Sequence, residues 1–295
     1  MKTEANQYNI RVQAIIYLIV ASLLWSLGGF FIKWVQWNPV AIAGTRSAIS
    51  AMLIWGVLRK PKFVWSKEQI LCAVFYAGTV ISFVIANKLT TAANAILLQY
   101  TAPIYVAVFG FVVLKEKTTK LDWVVIGVII AGMILFFIDD FEMKNVLGNI
   151  IAIISGITFA ATVLLMRKQK NESPLESILL GNILTAMIGV PFMFQSAPSS
   201  SSWIGLILLG TIQLGLPYIL YAKAIKSVTA LEAVLIPVIE PIVNPIWVFL
   251  LLGEVPGRWS ILGGIIVVIA VTLRCVIGIS KTQVGEQLAN TEQSL

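Results

Sequence analysis

The stretch from Thr91 to Glu116 recurs, without a gap, from Thr229 to Glu254. Nine positions are identical, among them Thr91/Thr229, Ala95/Ala233, Pro103/Pro241 and Glu116/Glu254, and most others pair apolar with apolar. After a two-residue slip the match continues through Trp123/Trp259 and Gly127/Gly263, and it returns weakly upstream at Pro39/Pro174. Such a chain is built from two related units, and that prior constrains the fold before any single helix is considered.

The units are apolar. The chain is 58% hydrophobic and 12% charged, with a mean hydropathy of +0.91. Ten apolar runs, each long enough to cross a hydrocarbon core of about 30 Å, fall near 12–32, 40–58, 69–87, 92–114, 122–138, 147–167, 175–194, 203–222, 230–252 and 260–278. The fold class expected is an all-α integral membrane protein with ten transmembrane helices in a 5+5 inverted repeat. Its parts are a cytoplasmic segment at 1–11, a first five-helix unit at 12–138, a second at 147–278 and a disordered cytoplasmic tail at 279–295. Five spans per unit is an odd number, so the second unit enters the membrane from the opposite side. Internal repeats of this kind are common in secondary transporters.

Charge sets the orientation. With both termini cytoplasmic, 16 of the 21 Lys and Arg residues fall on the inner side, and the loop at Asp139, Asp140 and Glu142 falls outside. That is the positive-inside pattern, expected of a multi-pass protein of the cell membrane. The net charge of +7 is therefore a topology signal rather than a nucleic-acid footprint. The first run is too long for a secretory leader and lacks a small-residue cleavage site, so it reads as a retained helix. Cys72 and Cys275 both lie in spans and read as inert apolar residues. The expected partners are the lipid bilayer and a small-molecule substrate, with no nucleic acid, and the chain as a monomer or a homodimer.

Small residues four apart, such as Ala43, Gly44, Ser47, Ala48 and Ala51, allow close helix contact, for static packing or for sliding. The ninth span is interrupted differently. Pro237, Pro241 and Pro245 lie on one face, and each removes an amide donor, leaving the carbonyls of Ala233, Pro237 and Pro241 without helical partners. In lipid these must find another partner or line a wet cavity. The repeat mate, the fourth span, has Pro103 flanked by Gln99, Tyr100 and Thr101. Broken helices at corresponding places point to a transport site, so these four prolines are gating candidates; a static kink is the alternative.

Arg46 and Glu240 are the two charges well inside a span. At about 1.5 Å of rise per residue their depths differ by only a few ångströms, close enough to pair directly or through a substrate. A charge at that depth normally faces the bundle interior and has a partner or a function. Asn244, Trp25, Gln99, Tyr100, Gln213, Tyr218 and Tyr221 complete the candidate substrate site, together with Ser22 and Ser26 at similar depth. The aromatics could wall a flat or cationic ligand. The alternative for Arg46 and Glu240 is a buried pair that fixes helix register.

The chain has no histidine. HExxH zinc sites, Ser-His-Asp triads and histidine proton relays are thereby excluded, and no catalytic residue, metal site or cofactor is expected. No Walker A motif is present, so transport would be secondary or facilitative.

The run Thr91 to Pro103, closing in Leu114-Lys-Glu116, resembles the ten-helix EamA branch of the drug/metabolite transporter superfamily. Glu240-Pro241, the later Leu252-Gly-Glu254, Gly263-Gly264, and Arg46 after Asn38-Pro39 carry the same resemblance. It implies a five-plus-five inverted repeat whose central cavity is walled by helices one to four and six to nine, with five and ten at the periphery. It also implies export of amino acids, nucleosides or other metabolites, or import of nutrients such as choline. The first span lacks the membrane glutamate that small four-helix multidrug members use for proton coupling. The leading expectation is a non-enzymatic secondary transporter that exports an amino acid or related zwitterion by alternating access. The alternatives are uptake of choline-like quaternary amines or nucleosides, a membrane-embedded enzyme, and a structural subunit.

Overall fold

The computed structural model describes residues 2–136, 138, 145–243, 247 and 258–293. Among the described residues there is no strand, and the backbone is helical almost throughout. Lipid demands this, because a membrane-spanning backbone must satisfy its own amides and carbonyls.

The first span is two helices, α1 (Lys2–Trp25) and α2 (Gly28–Trp34), separated by a turn. Then come α3 (Pro39–Leu58) and α4 (Lys67–Leu89). The fourth span is α5 (Ala92–Gln99) and α6 (Ala102–Leu114), broken at Tyr100 and Thr101, and the fifth is α7 (Lys120–Phe136). The second half opens with α8 (Val146–Lys168) and α9 (Pro174–Met193). Its eighth span is α10 (Ser200–Leu208), a π-helical turn (Leu209–Gly215) and α11 (Leu216–Ala224). The ninth begins with α12 (Ala230–Leu235), tightens to a 3-10 turn (Ile236–Val238) and is helical again over 239–243. The last helix, α13 (Arg258–Gln293), runs on beyond its apolar stretch, through residues such as Lys, Gln, Glu, Leu and Ala that favour helix.

Among the described residues seven helices are long and apolar enough to cross a membrane. The fifth expected span has 17 described helical residues, the tenth an apolar stretch at Ile261–Ile277, and the ninth is described only in part. Asn244, Pro245 and the acidic loop at Asp139 to Glu142 lie outside the described residues.

Helix starts follow local chemistry. Asn38 accepts from the amides of Val40 and Ala41 ahead of Pro39, and Ser66 accepts from that of Gln69. The repeat mates Thr91 and Thr229 are both N-caps: Thr91 accepts from the Asn94 amide, and Thr229 forms a capping box with Glu232.

Equivalent helices pack antiparallel. At one end of the α3–α9 pair Asn38 meets Gln195; at the other the Glu176 carboxylate accepts from the Lys62 amide at 2.6 Å. A Cβ added at Gly44 would lie 2.7 Å from the Cα of Gly189, and one at Gly189 would lie 2.6 Å from that of Gly44, so the backbones touch there. The mates α7 and α13 are likewise opposed: Asp122 at the start of α7 is bonded to Arg274, while Gly132 further along α7 approaches Gly263 and Val267 nearer the start of α13. Other contacts come in matched pairs: α4 on α8 is mirrored by α11 on α1, and α4 on α9 by the π turn on α3. This is the packing an inverted repeat requires.

Candidate functional site

Four spans are interrupted, and all four interruptions adjoin one small cavity of about 50 Å³. Trp25 ends α1, Gln99 and Tyr100 end α5, Gln213 and Leu214 lie in the π turn, and Glu240 follows the 3-10 turn; all line the cavity.

The ninth-span prolines explain part of the construction. Pro237 leaves the Ala233 carbonyl without an amide, and the Tyr221 hydroxyl donates to it at 2.9 Å. The Pro237 carbonyl, deprived by Pro241, accepts from the Tyr100 hydroxyl at 2.6 Å. Two of the three carbonyls expected to need a partner therefore have tyrosine partners. Pro103 is buried at the start of α6, beside the fourth-span break, and Pro241 is buried in the ninth span.

Arg46 and Glu240 both face the cavity and are almost wholly buried, at 1% and 6% exposure. They do not pair with each other. Arg46 donates from Nη1 to Gln213 Oε1 at 3.1 Å and from Nη2 to the Val80 carbonyl at 3.3 Å, while its Nε has no partner. Glu240 Oε2 lies 2.7 Å from the same Tyr100 hydroxyl, whose single proton it shares with the Pro237 carbonyl. The two side chains share a depth but not a wall, and a neutral neighbour reaches each one first. The site thus presents a positive and a negative group at separate places on one surface.

Aromatic rings form the rest of the wall. Trp25 packs edge-on against Tyr218 at 5.2 Å and lies 5.3 Å from Tyr221. Tyr218 lines the cavity, whereas Tyr221 stands behind Trp25 and is occupied by the Ala233 carbonyl. Gln99 lines the cavity while its amide donates to Ser155 at 2.8 Å. Ser22 bonds back to Leu18, and Ser26 bonds to Leu23 while accepting from Trp247, so neither belongs to the lining.

Five lining residues were not singled out as ligands: Thr79, Val80, Phe83, Phe159 and Leu214. Two carried a sequence signal. Thr79 is a hydroxyl in an apolar run, and Phe159 is the repeat mate of Trp25. Cys72 and Cys275 are free thiols.

The sequence model of the EamA-like transporter family matches the chain twice, over residues 12–138 and 146–274. Mouse solute carrier family 35 member G1 is 26% identical over 281 residues, covering 87% of this chain and 76% of that protein. The pseudopaline exporter CntI of Pseudomonas aeruginosa is 22% identical over 251 residues, covering 81% and 85%. A crystal structure of a protein superposes with a TM-score of 0.76 at 17% identity, covering 90% of this chain and 98% of the other, which shows a shared fold.

Proposed function

Because this chain belongs to the EamA-like transporter family, we propose that it is a secondary transporter exporting a small polar zwitterion, an amino acid or a close relative, by alternating access. The observation that carries this reading is that Arg46 and Glu240 line one cavity without pairing with each other. Arg46 has guanidinium donors to spare for a carboxylate, and Glu240 has a second oxygen for an ammonium group. The similarity to a protein named as an exporter supports the outward direction. The charge asymmetry of the loops supports a cell-membrane protein with both termini cytoplasmic.

The full-length protein in liposomes provides the test, with efflux followed for a panel of labelled amino acids. At least one should cross faster than in protein-free vesicles. Arg46→Gln and Glu240→Gln should each slow that flux about 10- to 100-fold, the worth of a lost hydrogen bond to a charged group, while the purified variants remain folded. Loss of thermal stability with flux per folded molecule retained would show that the two charges are only a structural lock.

The edge-on rings of Trp25 and Tyr218 in the cavity that Glu240 also lines favour a second reading, a choline-like quaternary amine. Labelled choline belongs in the same panel. Choline flux that survives Arg46→Gln would favour it over the zwitterion.

A further inference from the structure

The neighbour that reaches Arg46 is Gln213, and it does so from the π turn, the single turn of that kind among the described residues. A π turn holds one residue more than the α-helix around it, and such turns often mark working sites. Here the Leu216 amide donates to the Thr211 carbonyl, and Pro217 offers no amide to the carbonyl of Gln213. The turn lies directly on α3: a Cβ on Gly210 would come within 2.5 Å of Ile49 and 2.8 Å of the Arg46 carbonyl. Opposite, a Cβ on Gly28 would lie 2.6 Å from Gln213 Nε2. Two bare backbones therefore make the slot through which the Gln213 carboxamide meets Arg46.

Two features of that contact are unusual for a purely structural one. First, the buried guanidinium has only neutral acceptors, Gln213 and the Val80 carbonyl, and its Nε is unpartnered. A buried cation held by dipoles alone is short of compensation. Second, Gln213 is fastened at one end. Its Oε1 accepts from Arg46, while its Nε2 donates to no acceptor among the described residues. A carboxamide is planar and nearly the shape of a carboxylate, but it carries no charge and offers Arg46 one oxygen where a carboxylate offers two.

We propose that Gln213 is a resident stand-in for the solute carboxylate: its carboxamide holds the seat on Arg46 and gives way when a carboxylate binds there. The inference rests on the zwitterion reading of the cavity and deepens it, because it makes Gln213 a specificity-determining residue that sets the threshold an anion must exceed. The π turn gives the side chain somewhere to go. If the extra residue passes out of the turn, everything beyond it rotates by about 100° about the helix axis. That rotation would carry Tyr218 in the cavity and Tyr221 on the Ala233 carbonyl, linking the seat to the broken ninth span.

The test uses the purified full-length chain and does not depend on knowing the natural solute. The probe is sodium propionate, with propionamide at matched ionic strength as the uncharged control and the thermal midpoint as the readout. Gln213→Ala should bind propionate at least about tenfold more tightly than wild type, since one competing hydrogen bond to a charged group has gone. Gln213→Glu should melt higher than wild type without probe and ignore propionate, because its own carboxylate fills the seat. Arg46→Gln should lose the response. Equal or weaker propionate binding by Gln213→Ala overturns the proposal, as does an equal response to propionamide, or no response to propionate in any form. Should Gln213→Glu fail to fold, Gln213→Ala decides alone. Failure of the transport reading looks different: propionate would bind as described, while no zwitterion crosses the liposome membrane.

Discussion

The interruptions at Tyr100–Thr101 and at Ile236–Val238 fall at equivalent places in the two halves, yet they supply opposite sides of one contact. The fourth span brings the donor, the Tyr100 hydroxyl. The ninth brings acceptors, the Pro237 carbonyl and the Glu240 carboxylate. Their repeat mates are bland or different: Val238 faces Tyr100 in the alignment, Pro237 faces Gln99, and Ala102 faces Glu240. The same holds one turn earlier. Thr91 and Thr229 agree and both cap a helix, but Asn94 joins a neutral cluster with Thr90 and Asn149, whereas Glu232 joins Arg11 and Arg274. At these positions the shared residues build backbone, and the differing ones build polar chemistry.

The contrast can be broken from its charged side first. Glu232→Gln removes the carboxylate shared by Arg11 and Arg274 and should cost about 3 kcal/mol, seen as a lower thermal midpoint. No change would mean that the ion cluster contributes no more than its neutral counterpart. Tyr100→Phe comes next. It removes the one hydroxyl proton that the Pro237 carbonyl and Glu240 share, at about 2 kcal/mol, and should alter flux as well as stability. An unaltered flux would detach the fourth-span break from the site. Asn94→Ala should cost about 1 kcal/mol, the ordinary worth of a neutral hydrogen bond, and a loss as large as that of Glu232→Gln would erase the distinction between the two caps. At the bottom of the scale is the solvent-exposed pair of Lys168 and Glu68, where Glu68→Gln should leave the midpoint unmoved.

Much of this arrangement was legible in the chain. Hydropathy marks the helices, and the prolines mark where the ninth span must loosen and which carbonyls it would strand. Rise per residue placed Arg46 and Glu240 at like depth, and they do share a cavity. Depth says nothing about azimuth, however, so it could not tell that Gln213 and Tyr100 would intervene between the two charges. The rescue of the stranded carbonyls by Tyr100 and Tyr221 was equally hidden, because it joins residues 137 and 12 positions apart. The π turn had a faint signal in Gly210, Gly215 and Pro217, which together loosen the hydrogen-bond ladder of the eighth span. Those residues fit a plain kink equally well, and the choice is made by α3 packing against the turn.

The touching glycines of α3 and α9 have a mechanical consequence. Gly44 and Gly189 sit toward the end of the pair marked by Asn38 and Gln195. By the repeat offset that aligns Pro39 with Pro174, their counterparts toward the other end are Leu179 and Ile54, both fully buried. One end of the seam is backbone on backbone; the other is propped by two branched side chains. The two ends of the seam therefore carry different side chains at corresponding positions of the repeat. If the alternating access proposed above proceeds by rocking about this seam, its two directions of motion would work against different contacts, glycine backbone at one end and branched side chains at the other.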